Sequence, residues 1–377
     1  MDHLRESRPE LASLVPYDAR EVRAEVILAS NENAFNLPSE ILDKISNRIS
    51  NVPFNRYPDP TAGELKKLIA EANGLEPTNV IIGNGGDALI LDLLVAWGGP
   101  GRTLLDLPPT FSMYAIDAQL TGTNLVQIPR RSDFSVDGDA VLARLGQGDI
   151  DVVMISNPNN PTGALVPETL LIDILNATDA LILVDEAYFE FSRHTMRPHL
   201  ERHPNLVLLR TFSKAFSLAG LRVGYCLAQE DVITELTKVR QPYSVNTFSQ
   251  MVAALVFRER VVFEQGVRDV MRGRDQIMHG LEMLNGVEVF PSEANFVLFR
   301  VAHASAMWRD LLHRHSVLVR DLTRTPGLED CLRVTVGSEE EIQRFLDGVA
   351  EVLSARRTAD IIGSSVAREH ANSRKGE

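Results

Sequence analysis

The chain has 377 residues, more than one compact core usually accommodates, so two domains are expected. Hydrophobic residues make up 44% and charged residues 24%, as in soluble globular proteins, and the formal net charge of -13 argues against a nucleic-acid partner. The two cysteines, Cys226 and Cys331, and the nine histidines show no ligand spacing, so neither a disulfide framework nor a metal site is predicted.

No targeting or membrane segment is predicted. The longest apolar run, residues 89–97, contains Asp92 and is far too short to span a bilayer. The first six residues have mixed charge and no apolar stretch, which is unlike a signal peptide. A cytoplasmic protein without a membrane partner is therefore expected.

The first 255 residues are predicted to contain an N-terminal arm and a large domain. Residues 1–50 are expected to be irregular, with one amphipathic helix at 39–50. Residues 51–255 alternate helices, such as 64–72 and 88–97, with short apolar strands, which indicates an α/β fold with a buried, mostly parallel sheet. Seven strands are predicted, at residues 80–82, 103–107, 125–128, 152–156, 181–185, 206–210 and 223–228. The last follows a connection too tight for a crossover helix, so it is expected to run antiparallel.

Residues 256–355 are predicted to form a smaller α+β domain. A long helical pattern over 249–284 is expected to link it to the large domain. Residues 287–355 then follow the order strand, strand, helix, strand, strand, helix. Residues 356–377 are polar and are expected to form a loosely held tail.

Two turns that follow predicted strands carry groups able to bind a ligand, because ligands of open α/β sheets lie at the carboxyl ends of strands. The glycine-rich turn 83–87 can bring the backbone of Gly86 and Asp87 to a phosphate at a helix N-terminus. It can equally be a tight turn with Asp87 as the helix cap. Asn160, in the turn 157–163, can offer its amide to a ring oxygen or simply occupy the turn.

Two further strand ends carry an acid, a phenol and an amine. Asp185 ends an apolar strand, where a carboxylate needs a partner. It can be a strand-end cap, form an ion pair with a neighbouring helix, or bind a protonated ring nitrogen. Tyr188 can reach the same ring or pack in the core. Lys214 follows the next strand, and although most lysines are solvated, burial and nearby cations would let this one lose its proton.

The neighbours of Lys214 in the sequence complete a cofactor site. Thr211, Ser213 and Arg222 supply hydroxyl groups and a guanidinium, which suit a phosphate. An amine, an acid, a phenol, an amide and a guanidinium are together the groups that pyridoxal phosphate requires. We therefore predict this cofactor, with Lys214 forming the Schiff base to its aldehyde.

Five other residues are candidates with strong alternative explanations. Phe111 can stack on a ring or fill the core, and Arg333, within an apolar strand, needs an anion that is either a structural carboxylate or a substrate. Arg320 can bind substrate or pair with its neighbour Asp321. Tyr17 and Tyr57 lie beside prolines, where tyrosines often only pack a loop.

The chain resembles the histidinol-phosphate aminotransferases, a branch of the fold type I pyridoxal-phosphate enzymes related to aspartate aminotransferase. The likeness extends from about residue 14 to residue 355 and is carried by the segments 28–33, 56–59, 156–163, 184–188, 211–222 and 332–337. It implies a large domain with a seven-stranded, mostly parallel sheet and a smaller α+β domain built from both chain ends. It also implies a homodimer with active sites at the subunit interface.

The resemblance assigns roles around the cofactor. Lys214 resembles the Schiff-base lysine and Asp185 the partner of the ring nitrogen. Asn160 and Tyr188 resemble the pair that holds the ring oxygen, and Phe111 occupies the stacking position. The phosphate group is implied to bind Gly86, Asp87, Thr211, Ser213 and Arg222.

Other implied roles concern the substrate and the second subunit. Tyr57 looks like the tyrosine that reaches the neighbouring subunit's cofactor phosphate. The substrate is implied to bind Tyr17, Asn33, Arg320 and Arg333. The chain departs from the branch in having Phe111 where tyrosine is frequent and Ala88 where many relatives have glutamate. These departures leave room for a different amino donor.

The expected reaction is therefore amino transfer between L-glutamate and imidazole-acetol phosphate. One alternative keeps the chemistry and takes an aromatic amino acid as substrate. Another is a decarboxylase of an amino-acid phosphate on the same fold. A cofactor-sensing regulator is the least favoured, since the resemblance begins near residue 14 and leaves no space for a DNA-binding domain in front of it.

Overall fold

The computed structural model of the chain describes residues 8–11, 14 and 22–373, and the side chains only as far as Arg356. Tyr17, one of the expected substrate residues, lies outside these ranges. Among the described residues, no helix is long and apolar enough to cross a membrane. The same residues contain no group of three or more histidine, cysteine or acidic side chains arranged to hold a metal ion.

A seven-stranded sheet forms the larger part of the molecule. Its strands are β2 (Val80–Gly83), β3 (Thr103–Asp106), β4 (Asn124–Gln127), β5 (Val152–Ser156), β6 (Leu181–Asp185), β7 (Leu206–Thr211) and β8 (Gly224–Leu227). They are arranged in the order β2-β8-β7-β6-β5-β3-β4. The neighbours β7, β6, β5, β3 and β4 are parallel, and β8 runs antiparallel to both β2 and β7, so both sequence predictions are confirmed.

Helices cover this sheet on both faces, as its fully buried, apolar strands require. They are α1 (Ser39–Ile49), α2 (Gly63–Asn73), α3 (Gly85–Trp97), α4 (Met113–Thr121), α5 (Gly138–Leu145), α6 (Glu168–Asn176), α7 (Phe189–Ser192), α8 (Glu230–Val239) and α9 (Thr247–Arg258). One face of the sheet packs with Ile69, Phe212 and Leu255, and the other with Leu93, Tyr114 and Leu236.

A second sheet combines residues from both ends of the chain. Its strands are β1 (Val26–Leu28), β9 (Val287–Val289), β10 (Phe296–Val301), β11 (Val317–Asp321) and β12 (Cys331–Thr335), in the order β1-β11-β12-β10-β9. The helices α10 (Glu264–Glu282), α11 (Ala304–His315) and α12 (Glu339–Ser373) belong to the same region. The order of elements predicted for residues 287–355 is thus observed. The expected domain limits near residues 50, 255 and 355 stay a prediction.

Three elements differ from those expected. Strand β1 was not predicted, because three residues without alternation give no local signal, and its parallel pairing with β11 defines it. Helix α3 begins at Gly85 rather than at residue 88, so the glycine turn is its first turn and Asn84, not Asp87, is its N-cap. Helix α12 continues to Ser373, beyond the expected tail boundary.

The expected long helix over 249–284 is divided. Helix α9 ends at Arg258, a 3-10 turn covers Arg260–Phe263, and α10 then begins. Phe263 still packs in the core of the larger sheet, whereas Val267 packs in the core of the smaller one. The helix breaks because the chain changes from one core to the other, which a periodicity over one stretch of sequence does not reveal.

Candidate active site

A cavity of about 520 Å³ is lined by residues at the carboxyl ends of the larger sheet's strands and by residues of strands β11 and β12 of the smaller sheet. Most of the expected site residues line it. They are Gly86, Asp87, Phe111, Asn160, Asp185, Tyr188, Thr211, Ser213, Lys214, Arg222, Arg320 and Arg333. The parallel pairing of β5, β6 and β7 accounts for much of this gathering, because their ends lie side by side at one edge.

Lys214 is a half-buried amine at the centre of the cavity. Its Nζ donates to the backbone oxygen of Ser30 at 3.3 Å. Burial, and then the positive charge of Arg333, lower the pKa of Lys214 from its usual 10.5 to about 8. The neutral, nucleophilic amine is therefore accessible near neutral pH.

Asp185 is a buried carboxylate, 5% exposed, at the end of β6. Its Oδ2 accepts from the hydroxyl of Tyr114 at 2.8 Å and its Oδ1 from the backbone N–H of Ala187 at 3.0 Å. Burial raises its pKa to about 6, although both hydrogen bonds act in the opposite direction. Asp185 forms no ion pair with any residue that the structure describes. A cationic ligand would relieve this desolvated charge.

Donors for an anion gather where α3 begins. The backbone of Gly86 and Asp87 belongs to the first helical turn, which carries unpaired N–H groups. Gly85 has φ +82, and a Cβ there would lie 2.7 Å from a nitrogen of Arg222, so only glycine lets the guanidinium approach. Arg222 donates to Asp87 at 2.8 Å. Nearby, the buried hydroxyls of Thr211 and Ser213 are joined by a hydrogen bond of 3.0 Å.

The lining of the cavity also contains two arginines from the smaller sheet. Arg333 is buried, donates to the amide oxygen of Asn160 and to the backbone oxygen of Ala29 at 2.9 Å, and lies over the ring of Phe296. Arg320 faces the same cavity from the neighbouring strand. Asn160 therefore accepts a hydrogen bond from Arg333 and also lines the cavity.

Tyr188 is held by a residue that the sequence analysis missed. Asn31 is buried, lines the cavity and donates from its side-chain amide to the Tyr188 hydroxyl at 2.9 Å. Asn33, one of the four residues expected to bind substrate, donates from its amide to the backbone oxygens of Lys214 and Ala215, and it is not among the residues that line the cavity. Asn31 has φ 53, and this turn directs its side chain inward.

Tyr114 is the second residue that was missed. It is fully buried on α4 and donates to Asp185. Its ring packs edge-on against Phe111, with 5.6 Å between the centroids. Its place in the first turn of α4, three residues after the candidate aromatic Phe111, is the available signal.

Tyr57 is separate from the cavity of its own chain. It is 83% exposed and stacks on Tyr243, with 4.7 Å between the ring centroids. Its position is thus compatible with contact to another molecule, but it does not contribute to this cavity.

Comparisons with known proteins decide the family. The family described as aminotransferase class I and II matches residues 24–349. The chain belongs to this family. Members depend on pyridoxal phosphate, and the chain is a transaminase with the fold type I architecture.

The chain is also similar to individual curated proteins and solved structures. Histidinol-phosphate aminotransferase 1 of Carboxydothermus hydrogenoformans is 39% identical over 353 residues, covering 94% of this chain and 100% of that protein. The crystal structure of histidinol-phosphate aminotransferase from Sinorhizobium meliloti in complex with pyridoxal-5'-phosphate has a TM-score of 0.81 at 24% identity, covering 88% of this chain and 91% of that one. L-threonine-O-3-phosphate decarboxylase from Porphyromonas gingivalis has a TM-score of 0.78 at 25% identity, covering 87% and 99%.

The cavity fits the cofactor of the family. Asp185 lacks a positive partner among the described residues, and a protonated ring nitrogen would supply one. The start of α3 together with Arg222 offers donors for a phosphate group. Lys214 supplies an amine whose pKa is already lowered.

Proposed function

We propose that this transaminase exchanges an amino group between L-glutamate and imidazole-acetol phosphate, giving L-histidinol phosphate. The observation that carries the proposal is the pair Arg320 and Arg333, adjacent on neighbouring strands and both lining the cavity. Curated relatives of 33–39% identity that cover at least 86% of the chain bear the name histidinol-phosphate aminotransferase.

The proposed site has a cofactor end. When bound, pyridoxal phosphate supplies an aldehyde that condenses with amines and a ring that withdraws electrons from the substrate α-carbon. Arg222, the start of α3 and the Thr211 and Ser213 hydroxyls would hold its phosphate, and Asp185 would hold a proton on its ring nitrogen. Lys214 would hold the aldehyde and, once released, carry a proton from the substrate α-carbon. Tyr188, oriented by Asn31, would donate to the ring oxygen, as would Asn160.

The proposed site also has a substrate end. Guanidinium groups bind both carboxylates and phosphates through paired hydrogen bonds, so Arg320 and Arg333 can accept the phosphate of one substrate and a carboxylate of the other. This dual use suits a reaction whose two amino compounds have anionic groups of different shape. Phe111 covers the cavity with an apolar ring beside Tyr114.

We further infer a homodimer in which Tyr57 contacts the partner subunit's cofactor phosphate. A tyrosine that is 83% exposed and stacked on Tyr243 is favourable for burial against another surface. The exposed side chain of Phe54 on the same loop extends this apolar surface. Cytoplasmic location stays a prediction.

A half-reaction panel tests the substrate. The purified protein, loaded with pyridoxal phosphate, is mixed with histidinol phosphate, L-glutamate, L-phenylalanine or L-tyrosine while the cofactor absorbance is followed. We expect histidinol phosphate to give the highest kcat/KM and L-glutamate to react as well. A higher kcat/KM for phenylalanine or tyrosine would replace the proposal with aromatic amino-acid transfer.

The second candidate function is decarboxylation of an amino-acid phosphate. The likeness to L-threonine-O-3-phosphate decarboxylase supports it, because both reactions would require recognition of a phosphate. The same loaded protein is incubated with O-phospho-L-threonine, and carbon dioxide and the keto product are measured. Amino transfer without carbon dioxide supports the proposal, whereas release of carbon dioxide at a comparable rate contradicts it.

A further inference from the structure

A buried ion pair lies behind the active site, on the side of the sheet that faces away from the cavity. Arg210 Nε donates to Glu186 Oε2 at 2.9 Å, and the two side chains are only 5% and 1% exposed. Asp185, which precedes Glu186, faces the cavity, as do Leu209 and Thr211 on either side of Arg210. Because side chains alternate along a strand, the pair is on the reverse side of the cofactor-binding residues.

The pair is fully connected to its surroundings. Thr195 donates from its hydroxyl to the Glu186 carboxylate at 2.9 Å, and the backbone N–H of Met196 donates to it at 2.7 Å. Arg210 donates to Asn73, the last residue of α2, at 3.1 Å and to Thr195 at 2.8 Å. Its guanidinium also lies 3.9 Å from the ring centroid of Phe189. One arginine thus joins a helix end, a loop and two strand ends.

A contribution to folding stability does not by itself explain why this ion pair is buried. The free-energy cost of removing two charges from water is about as large as the gain from their attraction. Apolar residues of the same size often stabilise a fold to the same degree. A satisfied buried network does restrict the geometry of the groups that it joins. Here the joined segments are the turn that carries Asp185 and Tyr188 and the strand that leads to Lys214.

We propose that Glu186 and Arg210 are positioning residues, whose ion pair fixes the turn bearing Asp185 and Tyr188 against the strand end bearing Thr211 and Lys214. The inference rests on the proposed roles of Lys214 and Asp185. Each member of the pair is one residue from a residue that lines the cavity. A shift of either strand end would therefore change how the cofactor ring lies between its amine and its carboxylate.

The test compares Glu186→Gln, Arg210→Met and Arg210→Lys with the wild type. Arg210→Lys keeps the charge but cannot reach Asn73, Thr195 and Glu186 together, and it serves if Arg210→Met does not fold. The matched control is Arg274→Met, because Arg274 is another buried arginine. It lies on α10, is paired with Asp275 and with Glu293, and is absent from the cavity lining.

Three quantities are measured. The dissociation constant of the cofactor is obtained by titration of the apoprotein. The circular dichroism of the visible band, which reports ring orientation, and kcat of the L-glutamate half-reaction are measured at saturating cofactor. We expect the three pair variants to lose visible circular dichroism per bound cofactor and kcat to fall by up to about a hundredfold. The control should lose thermal stability and keep all three quantities within about twofold.

Two results would overturn the positioning role. One is that Glu186→Gln and Arg210→Lys have the same visible circular dichroism and the same kcat as the wild type. The other is an equal loss in Arg274→Met, which would show a general effect of removing a buried arginine. Failure of the proposed function is recognised separately. If borohydride does not attach the cofactor to Lys214 in the wild-type protein, the proposed roles of Lys214 and Asp185 are wrong, whatever the variants show.

Discussion

Arg320 and Arg333 lie directly opposite each other on the antiparallel strands β11 and β12, and both line the cavity. Like charges in this position destabilise a sheet unless an anion compensates them. Arg333 is buried and already contacts Asn160 and a backbone oxygen, whereas Arg320 is half-buried. Two guanidinium groups thus line the cavity side by side, an arrangement whose paired hydrogen bonds suit a substrate phosphate or carboxylate.

Replacement of either arginine should lower kcat/KM to different extents for different substrates. Arg320→Ala is expected to lower kcat/KM for histidinol phosphate by roughly tenfold to a hundredfold, which corresponds to about 1.5–3 kcal/mol for one charge-assisted contact, and to affect phenylalanine less. Arg333→Ala should lower kcat/KM for both histidinol phosphate and L-glutamate. Steady-state kinetics with all three compounds measures this. The exposed Arg324, which does not line the cavity, is the control, and an equal loss in Arg324→Ala would contradict the assignment.

Attachment of the cofactor should depend on pH through Lys214. An amine attacks an aldehyde only when it is neutral, and burial followed by the charge of Arg333 lowers the pKa of Lys214 to about 8. The rate at which apoprotein captures pyridoxal phosphate should rise with pH up to about 8 and then level off. Stopped-flow absorbance measures it.

Two variants check that interpretation. Arg333→Met removes a like charge, so the pKa of Lys214 should rise and the midpoint of the profile should move to higher pH. Lys214→Ala should show no borohydride-stable attachment and no turnover. A wild-type midpoint near 10.5, the usual value for lysine, would show that the cavity does not lower this pKa.

Tyr114→Phe should weaken the function of Asp185 without removing its carboxylate. The Tyr114 hydroxyl stabilises the charged form of Asp185, so its loss should raise the pKa of Asp185 above its present value of about 6. The acidic limb of the kcat–pH profile should then move to higher pH, with a loss of about tenfold or less at neutral pH. Asp185→Asn, as comparison, should lose several orders of magnitude at every pH. An unchanged acidic limb in Tyr114→Phe would mean that the hydroxyl has no influence on Asp185.

Mixing of two inactive variants should restore activity if Tyr57 acts across a subunit interface. In a heterodimer of Lys214→Ala and Tyr57→Ala chains, one site contains both wild-type residues. Complete subunit exchange at equal concentrations should therefore give about one quarter of the wild-type activity, since half of the dimers are mixed and each has one intact site. Mass spectrometry verifies the exchange, and no recovery after it would exclude a shared site.

Much of the fold could be predicted because it depends on local pattern. Continuous apolar strands between helices indicated the parallel sheet, and the tight connection before β8 indicated its antiparallel direction. Lys214, Asp185 and Asn160 were recognised as candidates because each follows such a strand, and strand ends of a parallel sheet meet at one edge. The resemblance of these segments to a known family then supplied the cofactor.

The tertiary structure decided what depends on contacts between distant segments. Strand β1 exists through its pairing with β11, more than 280 residues later, and the break before α10 follows from the change between two cores. Asn31 rather than Asn33 enters the cavity, because the turn after β1 directs their side chains to different sides. Sequence alone specifies which chemical groups are available; packing between remote elements determines which of them meet, since hydrogen bonds and burial act over a few ångströms of space and not along the chain.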